Sequence, residues 1–236
     1  DKIILTSGLF TIGARVNLYE RVILEGSGWG TRLVLANNVN DIMFYGRGTI
    51  QSIIMRDMEL DGNKAGQTSG NGAVIYLESL CFGRFDNMRI RNGFKFGIIA
   101  AKDPTLQFNN VLELNNVALT ENGIHGFYGI GLSNATFINT TIEGSGDSAF
   151  RFDGANADAP VYTLISPWLE GNRVDINTNG GIDSINVIGG YMDGRDATIV
   201  TDNSVKNVVV NGGIWRRAPA INPATKFYYS GISGYP

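Results

Sequence analysis

Three segments place a carboxylate directly after an apolar residue in the same local pattern: Thr141-Ile142-Glu143, Trp168-Leu169-Glu170 and Tyr191-Met192-Asp193. In an extended strand side chains alternate, so the residues flanking Ile142, Leu169 and Met192 point away from the face those three occupy. If the segments stack as neighbouring strands, the acids form one column with ~4.8 Å between rungs, and Trp168 and Tyr191 stand in the column beside it. A retaining glycosidase needs carboxyl groups ~5–5.5 Å apart and an inverting one ~6.5–9.5 Å, so adjacent or alternate rungs suit either chemistry. Glu170 is thereby a candidate catalytic group, with Asp193 or Glu143 as its partner, and crowding of like charges raises the pKa that a general acid requires. Trp168 and Tyr191 offer flat apolar faces to pyranose rings, and Trp215, taken as the next member of the acid column, extends that surface.

The same residues also fit structural roles. Asp or Glu before Gly is ordinary turn chemistry, accepting bonds from free backbone N–H groups. Glu25 and Asp61 sit in the expected acid column without aromatic neighbours, and Trp168 and Tyr191 can equally be buried in a seam between subunits.

Other residues carry weaker signals. Arg151 and Asp175 are expected in register on consecutive coils with Asp153 nearby, a cross-strand ion pair worth less than ~1 kcal/mol if exposed. His125, the only histidine, can act as a general base with Tyr128 as acid, although a single His in a turn is ordinarily solvent-exposed. Cys81, between Leu80 and Phe82, reads as a small core residue. Gly26-Ser27-Gly28-Trp29-Gly30 resembles a nucleotide loop only superficially, because Leu33-Val34-Leu35 follows rather than a helix. The glycosylation-type triplets at Asn134 and Asn139 match by chance often. One Cys and one His exclude a disulfide framework and a Cys/His zinc site, so no metal and no cofactor is expected.

What positions these side chains is an internal repeat. An apolar residue, a polar or acidic one, and then Gly or Asn recur at Leu24-Glu25-Gly26, Leu60-Asp61-Gly62-Asn63, Ile90-Arg91-Asn92-Gly93, Leu119-Thr120-Glu121-Asn122-Gly123, Ile142-Glu143-Gly144, Leu169-Glu170-Gly171-Asn172 and Met192-Asp193-Gly194, with Ile214-Trp215-Arg216 as a degenerate last copy. The anchors are separated by 36, 30, 29, 23, 27, 23 and 22 residues. Residues alternate before each anchor, and a second apolar stretch follows each turn, as in Val74-Ile75-Tyr76-Leu77 and Phe150-Arg151-Phe152. Two to three short strands per turn of ~22–30 residues describe a parallel β-helix. A β-sandwich also has strands every ~8–12 residues, but gives no reason to repeat one turn sequence at one offset. Asn63, Asn92, Asn122 and Asn172 fit left-handed turn positions whose amides stack between coils.

Composition agrees. The 236 residues are 43% apolar and 17% charged with 31 Gly, ample for a core and unlike a disordered or collagen-like polymer. No apolar run reaches the ~18 residues of a bilayer crossing, so no membrane insertion is expected. A formal charge of −3 without a basic block is a poor fit to nucleic-acid binding.

Leu5-Thr6-Ser7-Gly8-Leu9-Phe10-Thr11-Ile12 with Val22-Ile23-Leu24-Glu25-Gly26-Ser27-Gly28-Trp29-Gly30-Thr31 resembles the first coils of right-handed β-helix proteins of the pectate-lyase-like superfamily. Trp168-Leu169-Glu170-Gly171-Asn172 and Val187-Ile188-Gly189-Gly190-Tyr191-Met192-Asp193-Gly194 resemble tailspike-type members. The resemblance implies an all-β, single-stranded right-handed parallel β-helix of about eight coils, assigned to residues 1–217, with 218–236 as an irregular extension or cap after Pro219 and Pro223. It also implies a homotrimer on a virion tail or cell surface that binds, and in some members depolymerises, a bacterial surface polysaccharide. The alternatives are a scaffold without glycan activity and a polysaccharide lyase or epimerase, in which Arg151 would neutralise a uronate. The aspartate-rich calcium cluster of pectate lyases and the Asp-Pro-His-Glu run of mannuronan epimerases have no counterpart. The Gly-Asp-rich opening segment and capping helix usual in such proteins are also missing, and the sequence reads as a processed or excised piece.

Overall fold

The computed structural model describes residues 1–48, 52–70, 72–102, 111–154, 160–202 and 204–230. Among them every strand pair is parallel, in one 16-stranded and one 8-stranded sheet. Short β-branched and aromatic runs punctuated by Gly and Asn favour strands over helices.

The larger sheet has two arms. The long strands Ile53–Asp61, Phe82–Arg91 and Val111–Thr120 each run through both arms and turn a corner at a single left-handed residue: Asp57 (φ 57°), Asn87 (φ 48°) and Asn116 (φ 54°). Asn and Asp tolerate this region better than other residues with a Cβ. In later coils the corner separates two strands, as between Asn134–Ile138 and Thr141–Glu143, with Asn139, Ser166 and Gly189 left-handed. The second arm then leads through another turn to the smaller sheet, completing one coil.

The anchors stack in one inward file: Leu33, Leu60, Ile90, Leu119, Ile142, Leu169, Met192 and Trp215 are in continuous register. All are buried. From the other walls, Phe127, Phe137, Phe150, Phe152 and Tyr162 fill the interior as a contiguous cluster, with Phe137 and Phe150 centroids 4.7 Å apart and Phe152 stacked on Tyr162 at 4.0 Å.

Four expectations about placement are corrected. Leu24-Glu25-Gly26 belongs to the first arm, where Leu24 lies beside Met55 and Glu25 beside Arg56, and Leu33 is the true anchor below Leu60. Gly26 sits at the corner, where an added Cβ would lie 2.2 Å from the Asp57 carbonyl oxygen. Trp215 pairs with Met192, not with Asp193, and is fully buried, so it faces the core rather than a ligand. Asn63 and Asn92 are left-handed, but Asn122 and Asn172 are not; these two bridge coils instead, their Oδ1 atoms accepting from the Gly93 and Ser145 N–H groups at 3.0 Å. Finally, Lys226–Ser230 adds a strand in register with Val205–Asn211, carrying the ladder beyond residue 217. Pro219 and Pro223 lie between strands, where a missing N–H is tolerated. Residues 231–236 of the expected extension lie outside the described residues.

Candidate functional site

On the outer face of the second arm the expected columns form. Glu143, Glu170 and Asp193 are in register, as are Thr141, Trp168 and Tyr191. The Trp168 and Tyr191 rings stack with centroids 4.6 Å apart and planes 25° from parallel. Trp168 is 47% exposed. Each ring is tied to the acid two residues further on: Trp168 Nε1–H donates to Glu170 Oε2 at 3.0 Å, and Tyr191 O–H donates to Asp193 Oδ2 at 3.1 Å. The strand period creates this pairing, because residues two apart share a face. Burial and the hydrogen bond to Asp193 push the Tyr191 phenol up, keeping it a donor. Arg216, which takes the column position expected for Trp215, lies with Cζ 5.9 Å from the Tyr191 ring centre. One oxygen of Glu170 and one of Asp193 hold the rings, and the other of each accepts no hydrogen bond among the described residues.

Lower on the same face, the aromatics give way to a charged cluster. Arg32 Nε and Arg91 Nη2 approach Glu59 Oε1 at 2.9 and 3.0 Å, and their Nη2 groups approach Asp61 Oδ2 at 2.5 and 3.2 Å. Arg89 is 3.5 Å from Glu59. Burial, the largest influence on Asp61, raises its pKa, but the Asn63 N–H, the Asn92 amide and the two arginines together outweigh it and hold the carboxyl below its usual range. The repeat puts Asp61 and Arg91 in one column but leaves Arg32 out, because its first copy falls at Leu24 rather than at Leu33.

The smaller sheet carries the second candidate group. His125, Tyr128, Arg151 and Asp153 meet on its outer face: Tyr128 O–H donates to Asp153 Oδ2 at 2.6 Å, Arg151 Nε donates to Asp153 Oδ1 at 2.8 Å, and the His125 and Tyr128 rings are 5.4 Å apart. Burial, then the bond to Asp153, pushes the Tyr128 phenol up to about 12. Asp175 is not part of this group. Arg151 aligns with Asn177, while Asp175 lies inside, accepting from the Gly194 N–H at 2.7 Å, and burial raises its pKa well above the carboxylate range.

His125 also departs from its expected exposure. It lies in the strand His125–Ile130, buried against Phe96 and Tyr128, with Nδ1 3.7 Å from Asp147 Oδ2. Burial lowers its pKa to about 4, only partly opposed by Asp147. The unfolded chain binds a proton near pH 6.5 and the folded one only near 4, so the contribution to stability is whole above 6.5 and is lost as pH falls toward 4. Between pH 7 and pH 5 this group alone costs about 2 kcal/mol. Denaturant titrations of the chain and of His125→Gln at both pH values should therefore show a smaller acid-induced loss in the variant; equal losses would remove His125 as the cause.

Among the described residues no group of three or more His, Cys, Asp or Glu side chains is arranged to hold a metal ion. No helix among them is long and apolar enough to cross a membrane.

No family model matches the sequence, and no curated protein matches it. Solved structures do. The chain superposes on ORF18 of Geobacillus virus E2 with a TM-score of 0.71 at 13% identity, covering 99% of this chain and 54% of that one, so it spans about half the virus protein. The A-modules of the Azotobacter vinelandii mannuronan C-5 epimerases AlgE6 and AlgE4 match at TM-scores of 0.58 and 0.55, each at 14% identity, covering all of this chain and 83% and 88% of theirs. Identity this low speaks for the backbone alone. With its ladders parallel throughout the described residues and its coils superposable on these structures, the chain has the fold of a right-handed parallel β-helix.

Proposed function

We propose that this β-helix binds a bacterial surface polysaccharide along the outer face of its second arm, as a tailspike-like protein of a virion or cell surface. The observation that carries the reading is the exposed Trp168–Tyr191 stack with a carboxylate bonded to each ring. Stacked rings on a rigid ladder present apolar platforms beside fixed acceptors, the combination a pyranose matches with its C–H face and hydroxyls, and a pre-ordered surface loses little entropy on binding. A virus protein and two modules named for polysaccharide chemistry among the similar structures support a glycan partner. In the same proposal Glu170, with Asp193 one rung away or Glu143 on the other side, hydrolyses the bound chain, and the working assembly is a homotrimer.

The test is binding of the chain to an array of bacterial O-antigen and capsular polysaccharides, repeated with Trp168→Ala, while sedimentation follows the oligomer. Loss of glycan binding with an unchanged oligomer supports the proposal. Dissociation of the oligomer without any glycan bound would instead identify a scaffold whose aromatics lie between subunits.

A second reading rests on a separate observation, the convergence of His125, Tyr128, Arg151 and Asp153 on the smaller sheet. Epimerase or lyase chemistry there would use Arg151 to neutralise a uronate, with uncharged His125 as base and Tyr128 as acid. Release of unsaturated uronate from polyuronates by a lyase, or exchange of the C5 hydrogen with solvent deuterium by an epimerase, would favour this site, and the absence of both would leave the second arm as the proposed surface.

A further inference from the structure

The corner between the two arms carries a third aromatic station. Trp29 is 52% exposed on the turn between Val22–Glu25 and Thr31–Leu35. That turn is fixed on both sides: the Thr31 N–H donates to the Gly28 carbonyl at 2.9 Å, the Ser27 N–H donates to Thr31 Oγ1 at 2.8 Å, and Thr31 Oγ1 donates to the Thr6 carbonyl at 3.1 Å. The indole borders one shallow, open stretch of surface together with Asn87 and Asn116.

Those two amides form a directed chain. Asn116 Nδ2–H donates to Asn87 Oδ1 at 3.1 Å, and Asn87 Nδ2–H donates to Asp57 Oδ1 at 2.7 Å. The carboxylate at its foot polarises the chain. At its head, Asn116 Oδ1 accepts no bond among the described residues, and Asn116 is exposed.

We infer that Trp29, Asn87 and Asn116 form a second glycan subsite for an uncharged, hydroxyl-rich pyranose of the same polysaccharide that Trp168 and Tyr191 bind. This rests on the functional reading above. A single exposed Trp is unremarkable on any surface. Here the ring is held by a bonded turn, faces amide groups with free valence, and lies on the same flank as the Trp168–Tyr191 stack. The register counts two rungs from Ala118, two residues past Asn116 in the long strand, to Trp168, three from Arg89, two residues past Asn87, and five from Arg32, in the strand that follows the Trp29 turn. At ~4.8 Å per rung, the amides lie roughly 10–14 Å from Trp168 along the axis and the Trp29 turn roughly 24 Å from it. A glycan long enough to span that distance engages both, and the second contact forms at high effective concentration.

The test uses the polysaccharide that the array identifies, cut into oligosaccharides shorter and longer than this span. Trp29→Ala lowers affinity about 10-fold for the long oligosaccharides and less than twofold for the short ones, whereas Trp168→Ala weakens both. The chain has 3 Trp, of which Trp215 is buried, so in Trp168→Phe the exposed indole is that of Trp29. Long glycan then shields its fluorescence from acrylamide. If Trp168→Ala abolishes binding while Trp29→Ala leaves every length unchanged, this subsite is refuted and the main surface stands. If no glycan binds the unaltered chain, the functional reading fails and takes the subsite with it.

Discussion

Replacing Phe137 by alanine should lower unfolding stability by about 3–5 kcal/mol, the largest loss of any single substitution considered. Phe137 projects from the first arm into the interior and is fully buried, with its ring 5.0 Å from Phe127, 4.7 Å from Phe150 and 6.0 Å from Phe152. Those three partners come from the smaller sheet, so this one side chain joins two walls of the prism. Parallel ladders on every wall leave the surrounding backbone little freedom to collapse into the space, and the cavity term adds to the lost transfer energy. In a solenoid each coil leans mainly on its neighbours, so the damage is concentrated in the coils containing Phe127 to Tyr162. Guanidinium denaturation of the chain, of Phe137→Ala and of Phe82→Ala checks this. Phe82 is 40% exposed, and its loss should cost within about 0.5 kcal/mol. A Phe137→Ala midpoint close to that of Phe82→Ala would mean that the aromatic cluster does not hold the walls together.

The inward file shows what a sequence of this kind reveals. From Leu60 to Met192 each anchor is an apolar residue followed directly by a polar one, and the register runs through them without a slip. At both ends the pattern offers two solutions. Leu24-Glu25-Gly26 has the repeat's turn sequence but lies at the corner between the arms, because that corner also requires a residue of small volume where strands approach closely. Ile214-Trp215 supplies two adjacent apolar residues, and choosing Ile214 as the anchor shifts the register by one, which turns Trp215 outward. The structure buries the larger ring and leaves Ile214 45% exposed.

The candidate site was legible for a related reason: a strand period of two places Trp168 with Glu170, and a rung repeat places Trp168 with Tyr191. Burial of His125 was not legible, since it depends on Phe96 from the preceding coil and Tyr128 from its own strand packing around the imidazole. The position of Trp29 beside Asn87 and Asn116 likewise depends on how the turn is tied to Thr6 and Gly28, which no periodicity encodes.

Trp168→Ala should weaken glycan binding at least ~30-fold, the level of an interface hot spot, because it removes the more exposed ring of the stack and strips Glu170 Oε2 of its donor. Trp168→Phe separates the two contributions: it keeps a platform above Tyr191 but loses Nε1–H, and its loss should be only a few-fold. Glu170→Gln probes the carboxylate itself. Glutamine retains an oxygen that can accept from Trp168, so binding should stay within about threefold, whereas release of reducing ends should fall by at least ~100-fold if Glu170 transfers a proton to or from the scissile bond. The contrast between the variants is the discriminating result. A platform role predicts that affinity follows the ring and ignores the charge, and a catalytic role predicts that turnover follows the charge and ignores the neutral amide's ability to bind. If Trp168→Ala and Glu170→Gln both leave affinity and turnover unchanged in an intact oligomer, the second arm is not the glycan surface, and the stacked columns serve only to hold successive coils in line.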